Sequence, residues 1–158
     1  MTRTFLIAVA AGGSALLLLG AFAFQYIGGL APCAMCLWQR YPHAAAVVVG
    51  AAALALSGLP RRALAGLGAL AALTAAGLGL YHTGDERGWW KGPATCSAGG
   101  DPGALSAEDL MNQIMAAPLV RCDEVAWQML GLSMASWNAV LSAALAGLWI
   151  AAALRRTD

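Results

Sequence analysis

Apolar residues in this chain fall into four long blocks rather than alternating with polar ones. The blocks are Thr4 to Phe24, Tyr41 to Leu59, Ala63 to Tyr81 and Trp137 to Leu154, and none holds a charged residue. At about 1.5 Å of rise per residue, each block is close to the length needed to cross a hydrocarbon layer of roughly 30 Å. The pattern predicts an all-α membrane protein, a bundle of four transmembrane helices at about 4–24, 41–59, 63–81 and 137–154. Two loops are predicted on one side, about 25–40 and 82–136, with only Pro60-Arg61-Arg62 joining the middle helices. We expect one integral membrane domain over 1–158.

The blocks are rich in Ala, Gly and Leu, residues that let membrane helices approach closely. Gly66-Leu67-Gly68-Ala69-Leu70-Ala71 fits a dinucleotide-binding pattern formally, but no strand precedes it, so helix packing is the better reading. Arg3 followed by an apolar run and Ala21-Phe22-Ala23 has the outline of a secretory signal. The run is longer than a signal core, which favours a retained helix. In the second loop, Ser106-Ala107-Glu108-Asp109 offers an N-cap and an acidic first turn. Leu110, Met111, Ile114 and Met115 follow at helical spacing until Pro118. This predicts a short amphipathic helix on the membrane surface, with packing on protein alone as the alternative. The stretch Ser97 to Gly103 reads as a flexible loop.

Composition agrees with the block pattern: 60% of the 158 residues are hydrophobic and 11% charged, against about half and a quarter in soluble domains. A net charge of +1 gives no reason to expect nucleic acid as a partner. Charge also orients the chain. Arg3, Arg61, Arg62, Arg155 and Arg156 lie in short segments on one side. Arg40, Arg87, Lys91 and Arg121 are spread over the two loops among Asp85, Glu86, Asp101, Glu108, Asp109, Asp123 and Glu124. Positive-inside bias therefore places both termini in the cytoplasm and both loops outside. Trp38, Trp89, Trp90, Trp127 and Trp137 lie in or beside the loops, where an interfacial belt is expected.

All four cysteines then fall on the outer side, which in a bacterium is the oxidising periplasm. Cys33-Ala34-Met35-Cys36 follows Pro32, a residue suited to a helix start. Arg40, the only charged residue between Arg3 and Arg61, lies four positions beyond Cys36 on the same helix face. There it can stabilise a thiolate or the oxyanion of a bound acceptor, or simply snorkel to headgroups. Redox exchange is the favoured chemistry for this pair. A structural disulfide across two residues closes too small a loop to gain much. The remaining cysteines lack the spacing of a second zinc-binding pair, so no metal is expected, and Leu37 occupies the position of a haem-attachment histidine. Cys96 and Cys122 form the second pair, a loop staple when considered alone. Cys96 follows Gly92-Pro93-Ala94-Thr95 and is expected to be exposed and open to external thiols. His82, at the outer end of the third block, is placed to bond a quinone carbonyl or pass a proton. An interfacial histidine without such a role is an equal reading for it and for His43.

Pro32-Cys33-Ala34-Met35-Cys36 with Gln39-Arg40, Gly92-Pro93-x-x-Cys96, and Cys122-Asp123 with Trp127 and Gly131-Leu132-Ser133-Met134 together resemble the DsbB family of disulfide bond formation proteins. The resemblance covers essentially the whole chain. It implies a bacterial inner-membrane thiol:quinone oxidoreductase that reoxidises a periplasmic DsbA-like thioredoxin-fold protein. It implies attack on Cys96 of a Cys96–Cys122 disulfide, then exchange between Cys122 and Cys33, and donation from Cys36 to ubiquinone or menaquinone. Arg40, and with it Gln39 and His82, would lie at the quinone. The quinone pool is needed because glutathione is too reducing an acceptor for the DsbA couple. Vitamin K epoxide reductase is a related alternative, but its loop cysteines precede the Cys-x-x-Cys, whereas here they follow it. A non-catalytic membrane scaffold stapled by two disulfides is the reading from a different class.

Overall fold

A computed structural model describes residues 2–56, 60–93, 96, 106–116 and 120–155. Four long helices run up and down in sequence: α1 (Arg3–Tyr26), α2 (Ala34–Ala55), α3 (Arg61–Glu86) and α5 (Met134–Leu154), with the short α4 (Ala107–Ala116) between the last two. β1 (Gln128–Met129) and β2 (Leu132–Ser133) form a small hairpin ahead of α5. Three of these helices, α1, α3 and α5, are long and apolar enough to cross a membrane. The second is 22 residues long, but its first half carries Gln39, Arg40 and His43, and it is not among those three. Residues 57–59, 97–105 and 117–119 lie outside the described set, so the expected end of the second block, the flexible 97–103 stretch and the Pro118 helix stop do too.

The helices close into a ring in which α1 packs on α2 and α5, and α3 packs on the same two helices. Trp149 is fully buried at the centre, surrounded by Ile7, Ala10, Ala46, Ala53, Ala65, Ala72 and Ala146. Small residues make that approach possible. A Cβ at Gly68 would lie 2.5 Å from the Trp149 ring, and one at Gly50 would lie 2.3 Å from the Ala11 Cβ, so within the Gly66–Ala71 run it is Gly68 and Ala69 that pack inward. At one end of the bundle, Arg3 donates to the carbonyl oxygens of Ala152 and Arg155, and Arg61 to that of Ala53. The cysteines gather at the other end.

The observed helices extend beyond the apolar blocks at that end. The third block was expected to stop at Tyr81, yet α3 continues through His82, Thr83, Gly84, Asp85 and Glu86. Asp85, expected in a loop, is buried at the helix end and accepts from Gly92 N–H at 2.6 Å. The true stop is Gly88 at φ +68°. Trp89 N–H returns to Gly84 O and Gly88 N–H to Asp85 O, the paired bonds of a Schellman ending. Likewise α2 begins at Ala34 and α5 at Met134, each before its apolar block. The β1–β2 hairpin, which hydrophobic pattern did not suggest, turns through Leu130 and Gly131, both at positive φ. Ser106 caps α4 as expected, accepting from Asp109 N–H at 3.2 Å.

Candidate functional site

Cys33 is the N-cap of α2: its sulfur accepts from the Cys36 backbone N–H at 3.2 Å. Capping turns its side chain inward, where it is buried, while Cys36 is half-buried one turn into the helix. The two sulfurs are 2.8 Å apart. That neighbouring sulfur, together with burial, pushes the Cys33 thiol well above its ordinary pKa. Once the reduced pair loses one proton, Cys36 carries the charge.

Cys96 and Cys122 form a disulfide, with Cα atoms 5.0 Å apart. Cys96 is completely buried, which corrects the expectation of an exposed, accessible sulfur. It is covered because the disulfide packs with Cys33 and Met35, with Val120 against them. This packing brings the two pairs together. The Cys33 sulfur, the Cys122 sulfur and His82 Nε2 all lie within 4.8 Å of one another. Such a trio has the dimensions of a metal site, but the Cys122 sulfur is committed to a disulfide and His82 Nε2 faces the Cys122 carbonyl oxygen at 3.1 Å. The arrangement suits sulfur exchange.

His82 comes from the extra turn of α3, and its Nε2 is 3.7 Å from the Cys33 sulfur. Gln39 reaches its other nitrogen at 2.9 Å. Behind Gln39 runs a buried polar chain that sequence reading missed. Asn138 Nδ2 donates to Gln39 Oε1 at 2.6 Å, and Asn138 Oδ1 meets His43 Nε2 at 2.9 Å, with Ser142 beside both. Asn138 sat unremarked inside an apolar block; a lone amide amid hydrocarbon was the available signal. Glu86, also missed, accepts from Ser133 and lines the same region.

A cavity of about 640 Å³ opens beside the cysteines, within the usual range for small-molecule sites. Leu16, Leu17, Ala21 and Phe24 of α1 form one wall, and Cys33, Cys36, Gln39, Arg40, His43 and His82 lie on the opposite side. Trp127 packs on Phe24 at 5.1 Å between ring centres and lines the same cavity. Arg40 bridges α2 to α1, donating from Nη1 to Gln25 Oε1 at 2.6 Å and standing 4.8 Å over the Phe22 ring. Its Nε is buried without a partner among the described residues. An apolar slot with one unsatisfied cationic donor beside a thiol pair fits a flat, lipid-soluble ring bearing carbonyl oxygens. All seven residues singled out from sequence converge here: Cys33, Cys36, Gln39, Arg40 and His82 on the cavity wall, Cys96 and Cys122 just behind Cys33.

Comparison with known proteins gives a consistent result. A family model described as Disulfide bond formation protein DsbB matches residues 3–152. Disulfide bond formation protein B 2 of Pseudomonas aeruginosa PAO1 is 34% identical over 147 residues, covering 88% of this chain and 83% of that protein. Disulfide bond formation protein B of Polaromonas naphthalenivorans CJ2 is 32% identical over 145 residues, covering 87% and 83%. An uncharacterised Rickettsia prowazekii protein, RP370, is 29% identical over 123 residues, covering 77% and 71%. No solved structure matches the chain.

Proposed function

The chain belongs to the disulfide bond formation protein DsbB family, and on that premise we propose that it is a thiol:quinone oxidoreductase of the bacterial inner membrane. It spans the bilayer four times, with both termini cytoplasmic and the cysteine loops periplasmic. Its electron donor is a DsbA-like thioredoxin-fold protein and its acceptor is ubiquinone or menaquinone from the membrane pool.

The observation that carries this reading is the position of Cys33: its sulfur has that of Cys36 on one side and that of Cys122 on the other, at the edge of an apolar cavity. The donor's thiolate attacks Cys96, a mixed disulfide forms, and the electron pair leaves on Cys122. The Cys122 thiolate attacks Cys33 of an oxidised Cys33–Cys36 pair and releases the Cys36 thiolate. Because Cys96 is buried, its sulfur must be uncovered for the first attack. Cys36 and Arg40 face the cavity together, so the anionic sulfur and a fixed cation meet there. Gln39 and His82 complete its polar wall. A quinone bound in this cavity supplies a two-electron, two-proton acceptor soluble in the bilayer.

Purified protein given a reduced dithiol thioredoxin-fold partner should reduce quinone rapidly. Cys33→Ser and Cys36→Ser should each abolish that activity without preventing membrane insertion. Retained activity in both variants sinks the proposal. Inert disulfides and no mixed disulfide with a soluble thiol protein would return the chain to a stapled scaffold.

A further inference from the structure

The amide of Gln39 has only one orientation that satisfies its neighbours. Gln39 Nε2 lies 3.1 Å from the Met35 carbonyl oxygen, which can only accept, so that nitrogen is the donor. The same nitrogen is 2.9 Å from His82 Nδ1, which must therefore present its lone pair. A neutral imidazole with a bare Nδ1 carries its proton on Nε2. The far side of the ring agrees, because Nε2 faces the Cys122 carbonyl oxygen at 3.1 Å. Glu86 Oε1, at 4.0 Å from Nε2, is beyond hydrogen-bond range. From behind, Asn138 Nδ2 donates to Gln39 Oε1 at 2.6 Å and so prevents the amide from flipping. Asn138 is held in turn, since its Oδ1 faces His43 Nε2 at 2.9 Å. Gln39 and His82 are both buried.

We infer that Gln39, held by Asn138, locks His82 as an Nε2–H donor, and that this N–H anchors the charge that moves between Cys122, Cys33 and Cys36 during exchange. The chemical half rests on the proposed relay; the tautomer does not. In the step concerned, the Cys122 thiolate bonds to Cys33 as the Cys33–Cys36 bond breaks and the electron pair leaves on Cys36. One disulfide is consumed, one is formed, and no proton moves. Negative charge spreads over three sulfurs, and an N–H fixed beside the central one, 3.7 Å away, stabilises it more than the neutral starting pair. The locked ring cannot serve as a base, because Nδ1 is occupied and Nε2 has no lone pair. His82 is thus a catalytic donor, with Gln39 and Asn138 as positioning residues acting through it.

The test uses full-length protein in nanodiscs with ¹⁵N-labelled histidine, the His82 signals being assigned with a His82→Asn variant. His82 should show a protonated Nε2 and an unprotonated Nδ1. Gln39→Leu removes the lock and should give an exchange-averaged ring. Asn138→Asp is nearly isosteric and preserves packing; its carboxylate draws the Gln39 amide nitrogen toward itself, turns Oε1 to His82 and should reverse the tautomer. In Asn138→Asp the rate of Cys33–Cys122 disulfide formation should fall by about tenfold or more, the effect of losing one charge-assisted hydrogen bond, and in Gln39→Leu by a smaller factor, since part of the averaged ring keeps the donor. A reversed or averaged tautomer in the unsubstituted protein overturns the inference, as does a wild-type exchange rate in both variants. A raised apparent KM for quinone with an unchanged exchange rate also overturns it, by confining Gln39 to the cavity wall. If the unsubstituted protein forms no Cys33–Cys122 disulfide at all, the relay fails while the tautomer result still stands or falls separately.

Discussion

Gly79→Ala tests how α3 is seated on α5, and through that contact where His82 stands. A Cβ at position 79 would lie 2.9 Å from Ala139 N, 3.0 Å from Ala135 O and 3.0 Å from Ala139 Cα. These are backbone atoms of a neighbouring helix and cannot rotate aside. Comfortable carbon contacts begin at about 3.5 Å, so the two helices must part locally by roughly 0.5 Å. Overpacking of this kind costs about 1–3 kcal/mol. The better helix propensity of alanine offsets up to about 1 kcal/mol of that. A net loss of about 1–2 kcal/mol remains, which in a chain of this size lowers Tm by about 2–8 °C. Gly77, two residues earlier on the same helix, has nothing within 4 Å of its would-be Cβ, so Gly77→Ala should match or exceed the parent. Thermal unfolding of the detergent-solubilised variants gives the comparison directly. Gly79 also accepts from Thr83 Oγ1, which bonds Ser136 at 3.1 Å, so Gly79→Ala should additionally slow cysteine exchange by shifting the last turn of α3. Equal Tm values for the two variants would refute the seating of α3 on α5, and with it the site built from their ends.

Two further outcomes follow from the site. Arg40→Leu removes the only cation on the α2 wall of the cavity and should raise the apparent KM for quinone by about tenfold, the scale of one hydrogen bond to a charged group; an unchanged KM would confine Arg40 to bracing α1 through Gln25 and Ala21. The elevated Cys33 pKa means that its protonated form persists to higher pH than an ordinary thiol. In reduced protein, a thiolate-selective alkylating reagent at neutral pH should therefore label Cys36 first and Cys33 more slowly. Peptide mass mapping across a pH series reads this out, and initial labelling of Cys33 would refute it.

The sequence alone determined the parts of this protein that depend on local chemistry. Uninterrupted apolar blocks demand long helices, because an unpaired backbone is too costly in hydrocarbon. The order of Cys33, Cys36, Cys96 and Cys122, with Arg40 a turn beyond the first pair, was enough to suggest a thiol relay and a family. Helix ends were harder to read: His82 to Glu86 look like loop residues, yet they stay helical because buried partners satisfy them and only Gly88 supplies a left-handed stop. The burial of Cys96 was hidden for a similar reason, since a Gly- and Pro-rich sequence on either side says nothing of what covers its sulfur. Tertiary structure alone decided that Cys33 lies between the other sulfurs, that Gly68 and Gly79 face helices while Gly66 and Gly77 do not, and that Asn138 reaches His43 across 95 positions of chain. Each of these depends on how closely separate helices approach, a distance set by small side chains meeting across the bundle and not by any periodicity within one segment.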